Sequence, residues 1–377
     1  MKKKTRVLMV EQYSPNSAYM LELGRELKQD CDITVFCRAD TDWDEPCIVW
    51  LPQFYPGGKG KLGSVFAYGK TLLALSREIR RGKYDVLHIQ SFKNAKIEMK
   101  LYALLRRYYK KLVMTVHNVL PHELAAGDRA LYGGFYQSCD LLIVHNEASR
   151  AELQRQFPVP DEKIAVIAHG AYQTYPVGER QPGDGRTRFL FFGHIRPYKG
   201  VDILLKAVAA LDEEARKKCL FIIRGKQYPK LDPTDYAALI KQYGISDCVD
   251  FSDQRVSDAE IPALMGNADI ALFPYRNIYG SGALLMAYTF GLPVIASDIP
   301  PFREETGEGK TGILFETENP IALRDAVLAA LNWTEDEKEA YRRAIRALVS
   351  DKYNWRISAG KTAEAYRKLL ESGGLAG

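Results

Sequence analysis

Short apolar, β-branched runs alternate with longer segments of helical spacing along the whole chain. Strand-length runs near 5–13, 32–38, 46–51, 84–90, 111–117, 141–146 and 164–169 make a first series. Runs near 188–195, 219–225, 248–252, 269–275, 293–298 and 311–316 make a second, separated by helical patterns near 199–211, 233–243, 257–266, 281–290 and 320–332. Strands alternating with helices signal parallel sheets joined by crossover helices, so each series reads as a doubly wound α/β sheet. Tyr175–Arg186, with two prolines and three glycines, reads as the linker between them. The predicted organisation is a Rossmann-like N-terminal domain over 1–175 and a Rossmann-like C-terminal domain over 176–353. The last segment, 354–372, reads as one amphipathic helix, with Ile357, Ala365, Tyr366, Leu369 and Leu370 as packing positions.

Composition narrows the class. A chain of 377 residues with 46% apolar and 26% charged residues can bury two cores, which excludes fibrous and disordered classes. No run reaches the roughly 18 apolar residues of a membrane span; the nearest, Gly282–Ala296, is broken by Gly291 and Pro293. Three lysines precede only Val7–Val10 before Glu11, too short for a secretory segment, so a cytoplasmic protein is expected. The six cysteines form no CxxC pair and mostly sit in or beside apolar runs, which predicts buried thiols. Asp40-Thr41-Asp42-Trp43-Asp44 contains overlapping DxD patterns but lies in an early loop, far in sequence from the phosphate features below, and is expected to be solvated. No metal and no cofactor are expected.

The net charge of +5 is unevenly placed: residues 1–175 carry +6 and the rest −1. Lys59–Lys111 holds 14 basic and three acidic residues, a patch suited to phosphates. Within it, Phe92–Leu112 places Ile97, Leu101, Leu104, Leu105 and Tyr108 at helical spacing, with Lys93, Lys96, Lys100, Arg107 and Lys111 largely on another face. The apolar stripe is expected to pack on its own sheet. The cationic face suits either plain solvation or peripheral association with an anionic inner membrane leaflet. Nucleic acid is disfavoured as a partner, because no recognition motif accompanies the basic run.

Candidate chemistry sits at strand ends. Five of the six histidines, His88, His117, His145, His169 and His194, fall at the carboxyl end of an expected strand, where open parallel sheets bind ligands. Singly each is an ordinary hydrogen-bonder; together they predict a cleft between two facing sheets. A metal site is disfavoured, because His117 and His122, the closest pair, are interrupted by Pro121. Phe191–Asp202 runs from a strand through a turn into a helix; Gly193 permits close approach, and Arg196 and Lys199 put two cations at the helix start. A diphosphate suits that charge, with Arg as a planar fork and Lys as a point charge. Tyr279-Gly280-Ser281-Gly282 opens another helix, with Ser281 as N-cap and the Ser281 and Gly282 amides offering a second wall for the phosphates.

The run Phe191–Asp202, then Ala268-Asp269, Phe273-Pro274-Tyr275, Gly291–Asp298, Glu304 and Thr311–Phe315, resembles the C-terminal half of family 4 glycosyltransferases. Tyr84–His88, Thr115–Asn118 and Ile164–Gly170 match the family's N-terminal half more weakly. The resemblance implies the GT-B fold, two Rossmann-like domains around a cleft with the final helix, 354–372, crossing back to complete the first domain, and transfer of a sugar from a nucleotide diphosphate sugar with retention. It implies that Lys199 binds the donor diphosphate and that His117 projects toward the donor sugar. Arg196 is a physical inference, since the family's arginine directly follows the glycine, where His194 stands. The family's two glutamates would fall at Ile278 and Met286, which cannot accept hydrogen bonds. The chemistry remains feasible, because the leaving phosphate can take the acceptor's proton and the enzyme need only stabilise the departing charge.

The resulting expectation is a retaining, metal-independent glycosyltransferase of cell-surface polysaccharide or glycoconjugate synthesis. Its catalytic groups would be His117, Arg196 and Lys199, with a donor site of Gly193, His194, Arg196, Lys199, Arg255, Gly280, Ser281 and Gly282. A surface salt bridge explains Arg255 equally well. The acceptor, a saccharide or polyprenyl-linked species, would meet Tyr13, Ser14, Asn16 and His88. A nucleotide-sugar epimerase and a catalytically silent partner subunit stand as alternatives, the latter because of Ile278 and Met286.

Overall fold

The computed structural model describes residues 4–12, 17–38, 49–53, 61–121, 124–176 and 183–372. Tyr13, Ser14, Asn16, Cys47, His122 and the Asp40–Asp44 run lie outside them. The chain divides into two compact units, Met1–Gly170 with Asn354–Gly377, and Ala171–Tyr353.

In the first unit the strands are β1 (Thr5–Val10), β2 (Cys31–Arg38), β3 (Val49–Gln53), β4 (Tyr84–Ile89), β5 (Tyr109–Thr115), β6 (Leu141–Val144) and β7 (Ile164–Val166). They form one parallel sheet in the order β3-β2-β1-β4-β5-β6-β7. In the second unit β8 (Thr187–Phe192), β9 (Cys219–Arg224), β10 (Val249–Ser252), β11 (Ile270–Phe273), β12 (Val294–Ser297) and β13 (Gly312–Phe315) form a parallel sheet in the order β10-β9-β8-β11-β12-β13. Both are doubly wound sheets. Strands β6, β11 and β12 are buried at every position, as continuous apolar runs covered on both faces must be.

Each sheet reverses its strand order at one point, between β1 and β4 in the first and between β8 and β11 in the second. Loops leaving adjacent strands in opposite directions open a crevice there. In the first unit the loops are joined by the Ser91 hydroxyl, which donates to Glu11, and by the Gln12 amide, which donates to Ser91 Oγ at 3.1 Å.

The last helix, Trp355–Glu371, returns to the first unit and closes its core. Its buried stripe is Trp355, Ser358, Ala359, Thr362 and Tyr366. Tyr366 lies in the core as expected, and the half-buried Ala365, Leu369 and Leu370 pack against it; Ile357 is half-buried and does not join that cluster. The Phe92–Leu112 pattern is also corrected. The helix spans Ala95–Leu104, a short 3₁₀ turn takes Arg106–Tyr108, and β5 begins at Tyr109. Its buried residues are Glu98, Met99 and Tyr102, while Ile97 and Leu104 are exposed. Glu98 is tolerated inside because the Tyr68 hydroxyl (2.6 Å) and the Lys93 and Asn94 amides donate to its carboxylate.

Five cysteines, Cys31, Cys37, Cys139, Cys219 and Cys248, are free and buried, in line with the expected buried thiols. No described helix is long and apolar enough to cross a membrane.

Candidate active site

The second unit's switch point brings together the Phe191–Asp202 and Tyr279–Gly282 segments. After β8 the chain passes through Gly193 at φ 124°, a left-handed value that favours glycine. A Cβ there would lie 2.9 Å from Lys199 Nζ, so glycine lets the ammonium rest against the main chain. Pro197–Lys199 then makes one 3₁₀ turn, ended by Gly200 at φ 68°, before the helix Val201–Ala209. Gly200 is required twice over, since a Cβ would also sit 1.9 Å from the Pro274 carbonyl oxygen. Arg276 locks the two loops. Its amide donates to the Tyr198 carbonyl at 2.7 Å, and its guanidinium forks onto Asp202 at 2.9 and 2.7 Å. Asp202 is therefore committed to Arg276.

Lys199 is buried, its ammonium 5.0 Å from the Tyr275 ring centroid. Among the described residues no carboxylate pairs with it. Burial, and secondarily the charge on Arg196, push its pKa down to about 8. Around it, Arg196 stacks over Tyr228 at 5.0 Å and His194 lies 5.6 Å from the same ring. The pKa of His194 is lowered first by burial, then by Lys199, Arg196 and Arg255, which places those three cations within electrostatic reach of one ring. The charge of such a cluster suits a multiply charged anion. Tyr228 is a member that sequence reasoning missed, because an exposed tyrosine in a loop has no pattern to mark it.

The Gly-rich wall is arranged differently from the expectation. Ser281 caps the helix Gly282–Thr289, its hydroxyl accepting from the Leu284 amide at 3.2 Å. The Ser281 amide, however, donates to Glu305 Oε1 at 3.2 Å and is not open to a phosphate. Gly282 is small for a local reason: a Cβ would lie 2.9 Å from the Tyr172 hydroxyl. Gly280 is half-buried in the same turn. Glu305 is a buried carboxyl, its pKa raised to about 8 by burial. Met286 is buried and Ile278 half-buried, so the apolar side chains at the family's glutamate positions are packed.

In the first unit four of the strand-end histidines meet each other. His145 Nε2 lies 3.1 Å from His117 Nδ1, and His145 Nδ1 donates to the Ile167 carbonyl at 3.0 Å. The Gln90 carboxamide links His117 Nε2 and His88 Nε2, each at 3.1 Å, and His88 Nδ1 contacts the Tyr366 hydroxyl at 2.6 Å. Tyr19 packs against His117, His145 and His169 with ring centroids 4.9–5.5 Å apart. Burial holds the rings neutral, with pKa values down to about 3 for His88 and His169 and about 4 for His145, and well below the ordinary value for His117. With neutral rings the protons run one way. His145 Nδ1 donates to the Ile167 carbonyl, and the neutral His145 Nε2 accepts from His117 Nδ1.

This network corrects two expectations. His88 is fully buried with both nitrogens engaged, so it presents nothing to an acceptor. His117 is half-buried, and its two nitrogens are already hydrogen-bonded, to His145 and to Gln90. The histidine pattern thus marks a polar interior in the first unit and, through His194, the cationic cluster in the second.

Comparison with known proteins agrees with this architecture. Residues 17–171 match the family described as Glycosyltransferase Family 4, and residues 179–347 match Glycosyl transferases group 1. The chain is 26% identical to the D-inositol 3-phosphate glycosyltransferase of Corynebacterium glutamicum, over 62% of this chain and 58% of that protein. It is 24% identical to D-inositol 3-phosphate glycosyltransferase 2 of Catenulispora acidiphila, over 94% of this chain and 90% of that protein. Among solved structures, Anabaena Alr3699/HepE in complex with UDP and glucose superposes with a TM-score of 0.72 at 16% identity, covering 97% of this chain and 100% of that one. Two Rossmann-like parallel sheets, each matched by its own half of one family, make this chain a member of the family 4, group 1 glycosyltransferases, with the GT-B fold.

Proposed function

We propose that the protein transfers a sugar from a nucleotide diphosphate sugar to an acceptor hydroxyl, with retention at the anomeric carbon and without a metal. The observation that carries this reading is the buried ammonium of Lys199 at the switch point, without a carboxylate partner among the described residues and within electrostatic reach of Arg196, His194 and Arg255. A departing diphosphate supplies the negative charge that Lys199 lacks among the described residues. As the bond from the anomeric carbon to the diphosphate breaks, the acceptor oxygen bonds the same face of that carbon. The acceptor's proton passes to the leaving phosphate oxygen. Lys199 and Arg196 stabilise the departing charge, and no protein nucleophile is consumed. The relatives' names point to a phosphorylated cyclitol as one acceptor to try, beside the saccharide and polyprenyl-linked acceptors of cell-surface synthesis.

The packed Ile278 and Met286 favour a second reading, a catalytically silent subunit that keeps the fold. One experiment separates the readings. UDP-, GDP- and other nucleotide sugars are screened by thermal shift, and stabilising donors are then incubated with each acceptor class and analysed by mass spectrometry. Transfer needs donor-dependent stabilisation and an acceptor mass raised by one glycosyl unit. Release of no nucleotide from any donor supports the silent subunit, and an altered sugar nucleotide without acceptor supports an epimerase.

A further inference from the structure

Residues 63–107 of the first unit contain ten lysines and arginines, all exposed, and three acids, none exposed. The acids are occupied: Glu78 accepts from the Tyr84 hydroxyl, Asp85 pairs with Lys110, and Glu98 is held by Tyr68 and two amides. Two crossover helices, Lys61–Gly82 and Ala95–Leu104, carry most of the cations. Both connect parallel strands of one sheet. They are joined by Tyr68 and Glu98 at 2.6 Å, and again by Arg80, in the last turn of the first, over the ring of Tyr108, past the end of the second, at 5.7 Å. They therefore lie side by side and run the same way.

Large apolar side chains stand out from the same helices. Val65 is 70% exposed, Phe66 66%, Leu73 58%, Ile97 45% and Leu104 78%. Phe66 with Leu73, and Ile97 with Leu104, are each seven residues apart, two turns along one face. On the first helix Lys70, Arg77 and Arg80 share that face, and Lys70 lies 4.7 Å from the Phe66 ring centroid. Scattered apolar residues on a surface are ordinary; five on two adjoining helices amid exposed cations and no exposed acid are not.

We propose that this helix pair is a membrane-docking face that seats on a bilayer containing anionic phospholipid. An anionic bilayer uses both halves of the pattern: headgroups meet the cations, and the acyl boundary receives Phe66, Leu73 and Leu104. A second copy of the chain would set cations against cations. Nucleic acid would satisfy the charge but leave the aliphatic side chains in water. The face belongs to the first unit and the Lys199 cluster to the second, so the inference stands whether or not the protein transfers sugar.

The test is flotation of the full-length protein with phosphatidylcholine vesicles, with and without phosphatidylglycerol, at low and high salt. The protein should float only with phosphatidylglycerol and less well at high salt. Phe66→Ser/Leu73→Ser/Leu104→Ser should weaken partitioning roughly tenfold or more while every cation is kept, since apolar insertion scales with buried carbon. An unchanged thermal midpoint shows that the triple variant is folded. A separate Phe66→Trp variant should blue-shift its added fluorescence on anionic vesicles, and brominated lipid should quench it. Absence of flotation, equal flotation of wild type and folded triple variant, or no blue shift from the Phe66→Trp variant overturns the proposal. So does self-association through this face, shown by a dimer in sedimentation that Phe66→Ser/Leu73→Ser/Leu104→Ser abolishes.

Discussion

The Lys199 ammonium lies 5.0 Å from the centre of the Tyr275 ring, buried and without a carboxylate partner among the described residues. That pairing joins the loop after β8 to the loop after β11, and it fixes how the site should respond to pH. The free amine has a pKa lowered to about 8. Diphosphate favours the charged form, so affinity for UDP or GDP should be constant below that pH and fall above it, by up to about tenfold per pH unit. Lys199→Arg should flatten the profile because guanidinium stays charged. Titration calorimetry across pH 7–10 checks both.

Removing the charge should separate stability from function. Lys199 is costly to bury in the unliganded protein at neutral pH, because the folded state holds its proton less tightly than the unfolded chain. Lys199→Met should raise the thermal midpoint without ligand, abolish stabilisation by nucleoside diphosphate, and lower transfer by about a hundredfold or more. Differential scanning calorimetry with and without nucleotide reads the first two effects.

Glu305 should make the second unit less stable as pH rises. Its folded pKa, raised by burial from an ordinary 4.5 to about 8, means that the folded state holds a proton the unfolded chain has lost across that interval. Stability therefore falls between about pH 5 and 8 and levels off above. Glu305→Gln keeps an acceptor for the Ser281 amide and should remove that loss, seen as a smaller drop in thermal midpoint from pH 5 to 9.

The histidine network should make the first unit acid-labile. His88, His145 and His169 have folded pKa values depressed to about 3–4, so below about pH 6.5 the unfolded chain gains protons that the folded state refuses. Each ring steepens the decline by up to about 1.4 kcal/mol per pH unit until its folded pKa is reached. His145→Gln should shallow the slope between pH 6.5 and 4.5 in urea unfolding, whatever it does to stability at pH 8.

Gly200→Ala should be severe for its size. The new methyl must clear the Pro274 carbonyl oxygen from 1.9 Å and hold φ near 68°. A loss of roughly 1–3 kcal/mol from the backbone conformation alone, with weakened nucleotide binding, is expected by chemical denaturation and calorimetry.

The strand framework was legible because parallel strands covered on both faces appear as apolar runs ended by polar turns; thirteen runs were expected and the described residues form thirteen strands. Lys199 and Gly193 were legible because glycine and cations after a strand have few other uses. What escaped depended on distant partners. Glu98 lies inside because Tyr68, thirty residues earlier, bonds it, which turned the helix face away from the Ile97–Leu104 stripe. Glu305 takes the Ser281 amide across 24 residues, and no local pattern marks that. The four histidines were placed at strand ends, but whether they would face outward or each other was decided by Gln90, Tyr19 and Tyr366, which filled the space between them.

The second unit starts and finishes at one spot, where the Ala171 amide donates to the Tyr353 carbonyl at 2.7 Å. In chain order it is an insertion into the first unit. A graft of residues 171–353 from a relative would thus meet its host at two adjacent peptide bonds and leave Trp355 and Tyr366 in their own core. Exchange of such a cassette would replace the Lys199 cluster and leave the first unit's exposed cationic helices unchanged.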